Sequence, residues 1–273
     1  LSPEQDGVPY GVSSDGIDVR SGLGLSVEAD GDFTIDGQLQ ADGDMRVAAG
    51  GNITVTAPIS WSGTGTLVLQ AHNNIDIHVA ITAQAGGLTV SPGGTATATA
   101  AIDVGSFTLT SGTWQQVGAD VPAFTARDFR IGGATFIRAR GGDGDDGSPY
   151  KIFDVYGLQG IGSAGMLANH YVLVDDIDAS ITRGWHDGAG FAPIGDDVSP
   201  FTGTFDGDGH VIVGLFMNRL TEDNVGLFGV VGGTGRVESV GLERAQISGR
   251  TAVGGLVGML DQGTVTRSYG AGH

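Results

Sequence analysis

Aspartates are the side chains of this sequence with the most capacity for chemistry, since the 273 residues include 31 acidic side chains, no cysteine and no HExxH zinc motif. Two carboxyl groups that neighbouring strands hold about 5–10 Å apart could cleave a polysaccharide by general acid–base catalysis. Solvated turn residues are the alternative, which we favour, so we expect no catalytic residue and no enzyme. The candidates for carboxylate pairs are Asp175, Asp176, Asp178, Asp196, Asp197, Asp206 and Asp208.

Two short acidic segments carry oxygen ligands at the tight spacing found in calcium sites. Asp143 and Asp145 belong to one of them, and Asp206 and Asp208 to the other. Neither segment fits an EF-hand loop, and no GGxGxD repeat is present. Calcium therefore stays open as a cofactor at these four residues, with a solvated acidic loop as the alternative, and no other metal site is expected.

A sugar contact is a third possibility, because an exposed tryptophan on a β-sheet can stack on a sugar ring. The chain has Trp61, Trp114 and Trp185, for which partial burial or end capping is the alternative. Trp185 lies with Asp187 in a polar Gly–Trp–His–Asp–Gly segment. We predict that Trp185 and Asp187 form the carbohydrate contact, if the chain has one.

Composition argues against several partners. The formal net charge of −18 repels phosphate, which excludes nucleic acid and disfavours anionic membranes. No apolar run reaches about 18 residues, so no membrane insertion is expected. The lack of cysteine excludes a disulfide framework and thiolate zinc sites. Because the chain lacks an initiator Met and its last residues are still in a repeat pattern, we expect it to be a piece of a longer protein.

A repeat in the first half predicts the strands that carry these residues. Residues 32–39, 52–59 and 74–81 align at offsets of 20 and then 22, and a weaker copy begins at Thr95, at an offset of 21. Each copy has apolar residues at positions two, four and eight, and a second series of apolar–polar–apolar triplets follows the same offsets. A fixed period in this range, with 50 glycines and few helix formers, predicts an all-β solenoid, a right-handed parallel β-helix.

Stacking of such coils makes specific predictions. Equivalent side chains superpose, so Ile35, Val55 and Ile77 should form one internal column. Short polar side chains at one corner should bond turn backbone, and glycine pairs should occupy corners that need positive φ. The predicted corner residues are Asp32, Asn52 and Asn74, and the glycine pairs are Gly50–Gly51 and either Gly86–Gly87 or Gly93–Gly94.

The second half follows a different pattern. The period is lost from Val121 to Pro149, which predicts a connection or a small β insertion over residues 121–150. Afterwards the segments that begin at Val225 and Gly235 recur at Val253 and Gly263, which is an offset of 28 in both cases. Longer coils of the same solenoid explain this spacing. The predicted domains are residues 1–120 with regular coils, 121–150, and 151–273 with longer coils.

Residues 150–270 resemble a known family of repeats. The segment 253–258, Val-Gly-Gly-Leu-Val-Gly, followed by 263–270, resembles the GLUG motif of bacterial surface proteins. Segments 150–152, 156–162, 171–179, 191–195 and 201–210 match the part that commonly precedes that motif. The first half is similar to filamentous-haemagglutinin-like exoproteins.

This resemblance implies a two-partner-secretion adhesin, secreted to the cell surface of a Gram-negative bacterium through an outer-membrane transporter partner. It implies a structural stalk and attachment module, which contacts a glycan or protein ligand of a host surface or biofilm. Two alternatives remain: a carbohydrate-binding or polysaccharide-cleaving β-helix, and a non-catalytic spacer of a surface peptidase, since GLUG repeats also occur in such peptidases.

Overall fold

The computed structural model describes residues 18–19, 25–37, 39–41 and 43–272. Gln38, which belongs to the first predicted repeat copy, lies outside this part of the chain, as does His273. The chain divides into two compact units, a first unit of residues 1–106 and 122–125 and a second unit of residues 107–121 and 126–273. The boundary falls earlier than the predicted end of the regular coils at residue 120.

Short strands make up the first unit. They are β1 (Asp18–Val19), β2 (Leu25–Ala29), β3 (Phe33–Ile35), β4 (Gln40–Ala41), β5 (Met45–Ala49), β6 (Ile53–Val55), β7 (Ile59–Ser60), β8 (Thr66–Ala71), β9 (Ile75–Ile77), β10 (Ile81–Pro92), β11 (Thr95–Ala98) and the beginning of β12 (Ile102–Leu109). Strands β2, β5, β8 and β10 form one parallel sheet, and β3, β6, β9 and β11 form another.

The strand register confirms the predicted repeat. Leu25 pairs with Met45, Met45 with Leu67, and Leu67 with Leu88, so the offsets are 20, 22 and 21, as in the sequence. In the second sheet Ile35 pairs with Val55, and Val55 with Ile77. These last three side chains are fully buried, because alternate residues of a strand point to the same face and superpose along the sheet. The internal column is thus confirmed.

The predicted polar corner is also present, as a ladder of side chain to backbone hydrogen bonds. The Asp32 Oδ1 atom accepts from the backbone N–H of Asn52 at 2.7 Å and from its Nδ2 at 3.0 Å. The Asn52 Oδ1 atom accepts from the N–H of Asn74 at 3.1 Å, and Asn74 Oδ1 accepts from the N–H of Thr95 at 2.9 Å. Each corner residue therefore satisfies a backbone donor of the following repeat.

Glycine is required at the corners for a different reason than predicted. The glycine pairs do not have positive φ. Instead, a Cβ atom on Gly50 would lie 2.1 Å from the Asp30 carbonyl oxygen, and one on Gly93 would lie 2.0 Å from that of His72. Close approach of consecutive repeats, and not a left-handed backbone, excludes a side chain at these positions.

The second unit contains the end of β12 and longer-spaced strands. They are β13 (Thr113–Val117), β14 (Phe124–Ile131, from Ala126), β15 (Thr135–Ala139), β16 (Tyr150–Ile152), β17 (His170–Leu173), β18 (Ile177–Asp178), β19 (Thr204–Asp206), β20 (Val211–Val213), β21 (Phe216–Val225), β22 (Phe228–Gly232), β23 (Arg236–Glu238), β24 (Gly241–Val253), β25 (Val257–Asp261), β26 (Thr264–Thr266) and β27 (Tyr269–Gly272). One α-helix, α1 (Val155–Gly160), and a 3-10 segment (Ser180–Gly188) interrupt the strands of the described chain.

The region 121–150 only partly fits the predicted connection or insertion. Thr113 pairs in parallel with Thr135, at an offset of 22, so the repeat continues to Ala139. The residues that follow form turns, with an isolated antiparallel bridge between Asp145 and Ser148. The period was hidden in the sequence because aromatic residues take the place of the small aliphatic ones: Trp114 lies opposite Phe136 in this pair.

Three parallel sheets carry the longer repeats of the second unit, of which the smallest pairs β22 with β25. One of the two larger sheets has the order β16–β17–β19–β23–β26, and the other runs β18–β20–β24–β27, with β21 also pairing with β24. Val225 pairs with Val253 and Val237 with Val265, which confirms the predicted offset of 28. The chain is all-β with parallel sheets, as predicted, apart from the short helical segments.

Candidate functional site

Asp143 and Asp145 are exposed in the turn that follows β15. The Asp143 Oδ1 atom accepts a hydrogen bond from the backbone N–H of Asp145 at 3.1 Å, and Gly144 between them has a φ of +87°. This is the local turn bond that aspartate side chains commonly form. This bond gives the Asp143 carboxylate a structural role in the turn.

Asp206 and Asp208 repeat this arrangement after β19. The Asp206 Oδ1 atom accepts from the N–H of Asp208 at 2.9 Å, and Asp208 has a φ of +48°. Across the described residues, no group of three or more His, Cys, Asp or Glu side chains is placed to hold a metal ion. Calcium at either pair stays a prediction.

Trp185 is not the predicted sugar contact, because its side chain is fully buried. Its ring packs against those of Phe129, Tyr156 and Phe191, with centroids 5.2, 5.5 and 6.3 Å away. A ring enclosed by other aromatic rings offers no face to a sugar. Asp187 is exposed, but its Oδ1 accepts from Arg130 Nη2 at 2.7 Å.

The other two tryptophans are buried, which was the alternative to a sugar contact. Trp114 is fully buried and Trp61 is 8% exposed, with its Nε1 donating to the Gly65 carbonyl at 2.9 Å. The described part of the chain therefore presents no exposed tryptophan face.

Most of the aspartates considered for catalysis have structural partners. Asp175 pairs with Arg140, and Asp197 accepts from Asn224 Nδ2 at 2.7 Å. Asp196 accepts from the backbone N–H groups of Val198 and Ser199. These contacts fix turns and strand edges. Asp176 and Asp178 also accept backbone hydrogen bonds, but they share one groove with two arginines.

This groove lies on the outward face of the β18–β20–β24 part of the sheet and has a volume of about 600 Å³. Alternation places Ile177 and Ile212 in the core and leaves Asp176 and Asp178 facing outward. The side chains that give the groove its polar character are Asp176, Asp178, Ser180, Arg183, Arg244 and Gln246.

The electrostatics of the groove keep its carboxylates ionised. The backbone N–H of Val211 donates to Asp176 at 3.0 Å and lowers the pKa of that carboxyl group, with His210 as the second contributor. Hydrogen bonds from Ser180 lower the pKa of Asp178, and the charge of Arg244 contributes. A general acid requires a raised pKa, so neither aspartate suits the role of the general acid in polysaccharide cleavage.

The basic and aromatic residues of this face, including Arg183, Arg244 and Tyr269, were not among the predicted site residues. A signal existed: Tyr269 follows Gly241 at the same offset of 28, and the two are paired neighbours on β27 and β24. The longer repeat therefore could have placed an outward tyrosine beside a glycine, next to the aspartates of β18.

Comparisons with known proteins find relatives that are much longer than this chain. The chain is 35% identical to halomucin of Haloquadratum walsbyi over 228 residues, which are 78% of this chain and 2% of halomucin. It is 38% identical over 104 residues, 37% of this chain, to a protein of Evansella cellulosilytica whose name describes a Gly-rich membrane protein, of which it covers 12%. No protein-family model matches the chain, and neither does any solved structure.

In the described residues, no helix has the length and apolar character needed to cross a membrane.

Proposed function

We propose that this chain is a right-handed parallel β-helix module of a large cell-surface protein, in which it serves as stalk and attachment segment. The observation that carries the proposal is the register of the first unit, where Ile35, Val55 and Ile77 stack at the repeat spacing. Repeats that bury their apolar residues only against neighbouring repeats form long, modular structures. Such structures suit a projecting stalk better than a catalytic domain.

The relatives support the surface location. The chain corresponds to 2% of halomucin and 12% of a protein named as a membrane protein, which is the relation expected of one module in a long surface protein. The narrower prediction is a filamentous-haemagglutinin-like exoprotein with GLUG repeats, exported through an outer-membrane transporter partner of a Gram-negative bacterium. It rests on the residue resemblance alone, since neither relative carries such a name.

Engineered cysteines test the stacking directly, because the native chain contains none. Thr34 and Thr54 are paired neighbours whose side chains face away from the core. Neighbouring strands lie about 4.8 Å apart, within reach of a disulfide, whereas strands two positions apart are beyond it. We expect oxidation to join the Thr34→Cys/Thr54→Cys pair and not the Thr34→Cys/Asp76→Cys pair, as measured by mass spectrometry. Equal cross-linking of both pairs would contradict the stacked arrangement of the repeats.

Attachment is tested separately, by binding of the purified chain to a glycan array and to protein-coated surfaces. Retention on one of these supports attachment. No retention on any of them limits the role to that of a stalk.

The groove makes polysaccharide cleavage the second candidate function, since it holds Asp176 and Asp178 beside two arginines. A reducing-sugar assay distinguishes attachment from polysaccharide cleavage. We expect binding without product release. Turnover that is abolished by Asp176→Asn or by Asp206→Asn would replace the proposed role with catalysis.

A further inference from the structure

We propose that the outward face of the β18–β20–β24–β27 sheet binds a neutral, hydroxyl-rich oligosaccharide, with Tyr269 as the stacking surface and the adjacent groove as the polar part. The proposal rests on the attachment role above and specifies which surface makes the contact.

Tyr269 is a fixed aromatic platform. The residue is 50% exposed. A Cβ atom on Gly241 would lie 2.7 Å from both the Cζ and the Oη of Tyr269, so the outer end of the ring lies across the glycine backbone. The Tyr269 hydroxyl donates to Glu243 Oε1 at 2.7 Å, which fixes the ring. A ring held against a sheet, with half of its surface in solvent, is suited to stacking on the apolar face of a sugar.

The platform adjoins the groove. Val211 lines the groove, and its Cγ1 would lie 2.8 Å from the same Cβ on Gly241 that the Tyr269 ring approaches. The charge of Asp176 contributes to the raised pKa of the Tyr269 hydroxyl, after the hydrogen bond to Glu243 and burial, which places this groove residue near the ring. One ligand can therefore contact both the Tyr269 ring and the groove.

The groove supplies hydrogen-bonding groups of both kinds. Carboxylates accept, guanidinium groups donate, and the Gln246 amide does both. Sugar hydroxyls also donate and accept, so they need such a mixed set. The volume of the groove, about 600 Å³, lies within the usual range for small-ligand sites.

The donors are positioned before any ligand arrives. Arg183 donates from Nη2 to Gln246 Oε1 at 2.9 Å, and its guanidinium lies 4.4 Å from the centroid of the Phe216 ring. Preorganisation of this kind reduces the entropy cost of binding. Arg244 has no such restraint: its guanidinium makes no hydrogen bond within the described chain, which leaves its donors for a ligand.

The charges of the face favour a neutral ligand over an acidic one. Asp176, Asp178 and Glu243 provide three carboxylates, against the two guanidinium groups of Arg183 and Arg244. The chain as a whole carries a net charge of −18. A uronate polymer would meet net repulsion, whereas a neutral hexose polymer would not.

Titration calorimetry on the full chain tests the proposal with maltohexaose, cellohexaose, mannohexaose and hexagalacturonate as probes. We expect at least one neutral hexasaccharide to bind more tightly than hexagalacturonate. Tyr269→Ala should weaken that binding about tenfold, which corresponds to about 1.4 kcal/mol, within the range of an aromatic stacking contact, while Tyr269→Phe should keep most of it. Leu220→Ala, which alters a large exposed apolar residue outside the groove, is the matched control and should bind like the native chain.

Arg183→Gln provides a second variant in case Tyr269→Ala does not fold, as judged by thermal unfolding, and it should also weaken binding. No binding of any neutral probe at millimolar concentration, tighter binding of hexagalacturonate, or native affinity in both Tyr269→Ala and Arg183→Gln would overturn the proposal. These outcomes leave the stalk role untouched, because the cysteine cross-links test that role independently.

Discussion

At the scale of single residues, Arg138 shows how the second unit accommodates a buried charge. Its side chain is 3% exposed, donating from Nε to Asp154 Oδ2 at 2.6 Å and from Nη1 to Gln116 Oε1 at 2.7 Å. Asp154 also caps helix α1, because its Oδ1 accepts from the N–H of Gly157 at 2.9 Å. One carboxylate thus serves both a buried guanidinium and a helix terminus.

Asp154→Ala should lower the free energy of unfolding by about 3–5 kcal/mol, since it leaves the buried Arg138 charge without its carboxylate. Asp154→Asn should lower the free energy of unfolding by about 1 kcal/mol less than Asp154→Ala does, because an asparagine still caps the helix. Urea unfolding monitored by circular dichroism measures both. Asp187→Ala is the control: its pair with Arg130 is exposed, so it should cost at most about 1 kcal/mol. An equal loss in Asp154→Ala and Asp187→Ala would contradict the assigned role.

His186 gives the second unit a partly buried titratable group. Burial is the main cause that lowers its pKa from the ordinary value of 6.5, and the nearby Arg219 charge contributes. Its Nδ1 lies 2.9 Å from the Gly190 carbonyl oxygen, so this nitrogen carries the proton that it donates. The folded chain therefore favours the neutral imidazole.

Because the folded pKa of His186 lies below the unfolded one, the unfolded chain takes up a proton first as the pH falls. The stabilisation from neutral His186 is present above the unfolded pKa of about 6.5 and is lost as the pH falls from there through the lower folded pKa. We expect His186→Gln to show a smaller loss of unfolding free energy between about pH 8 and about pH 5 than the native chain. Identical losses in the two proteins would show that His186 does not contribute.

At the scale of elements, spacing between repeats is set by glycines where backbones approach closely. Gly50 and Gly31 occupy corners of consecutive repeats, yet their surroundings differ. A Cβ on Gly50 would collide with the Asp30 carbonyl oxygen at 2.1 Å, whereas one on Gly31 would meet no atom of the described residues within 4 Å. The two positions form a matched pair for testing the close approach.

Gly50→Ala should destabilise the chain by about 1–3 kcal/mol, as expected when an added methyl group forces backbone apart. Gly31→Ala should be neutral, or stabilising by about 0.4–1 kcal/mol, because alanine restricts the unfolded chain. Denaturant midpoints of the two variants measure the difference. If both variants unfolded at the same midpoint, the collision at Gly50 would not determine the repeat spacing.

At the scale of the whole molecule, the negative net charge is the feature with the largest expected effect on stability and solubility. The net charge of −18 favours solubility and opposes compaction through self-repulsion. Exposed ion pairs such as Arg46–Glu28 and Arg267–Glu238 act in the opposite direction but contribute at most about 1 kcal/mol each.

We therefore expect the melting temperature to rise with sodium chloride between about 0.01 M and about 1 M, because the Debye length falls from about 30 Å to about 3 Å and screens the repulsion. Differential scanning calorimetry measures this, with sucrose as an uncharged comparison. A melting temperature that falls as salt rises would show that ion pairs outweigh the repulsion.

The repeat could be read from the sequence because its cause is local. Side chains alternate with a period of two along a strand, and equal steps between coils superpose like residues. This rule was sufficient to predict the column of Ile35, Val55 and Ile77, the corner of Asp32 and Asn52, and the longer repeat of the second half. It failed over 121–139, where aromatic residues replace aliphatic ones.

Only the tertiary structure decided which rings are enclosed and which groups meet in the groove. Trp185 lies in a polar segment, yet Phe129, Tyr156 and Phe191 enclose it, two of them from well before it in the sequence. The role of Tyr269 as an aromatic platform could be inferred only from the contact of its ring with Gly241. Burial and juxtaposition depend on packing between distant segments, which a short-range pattern does not encode.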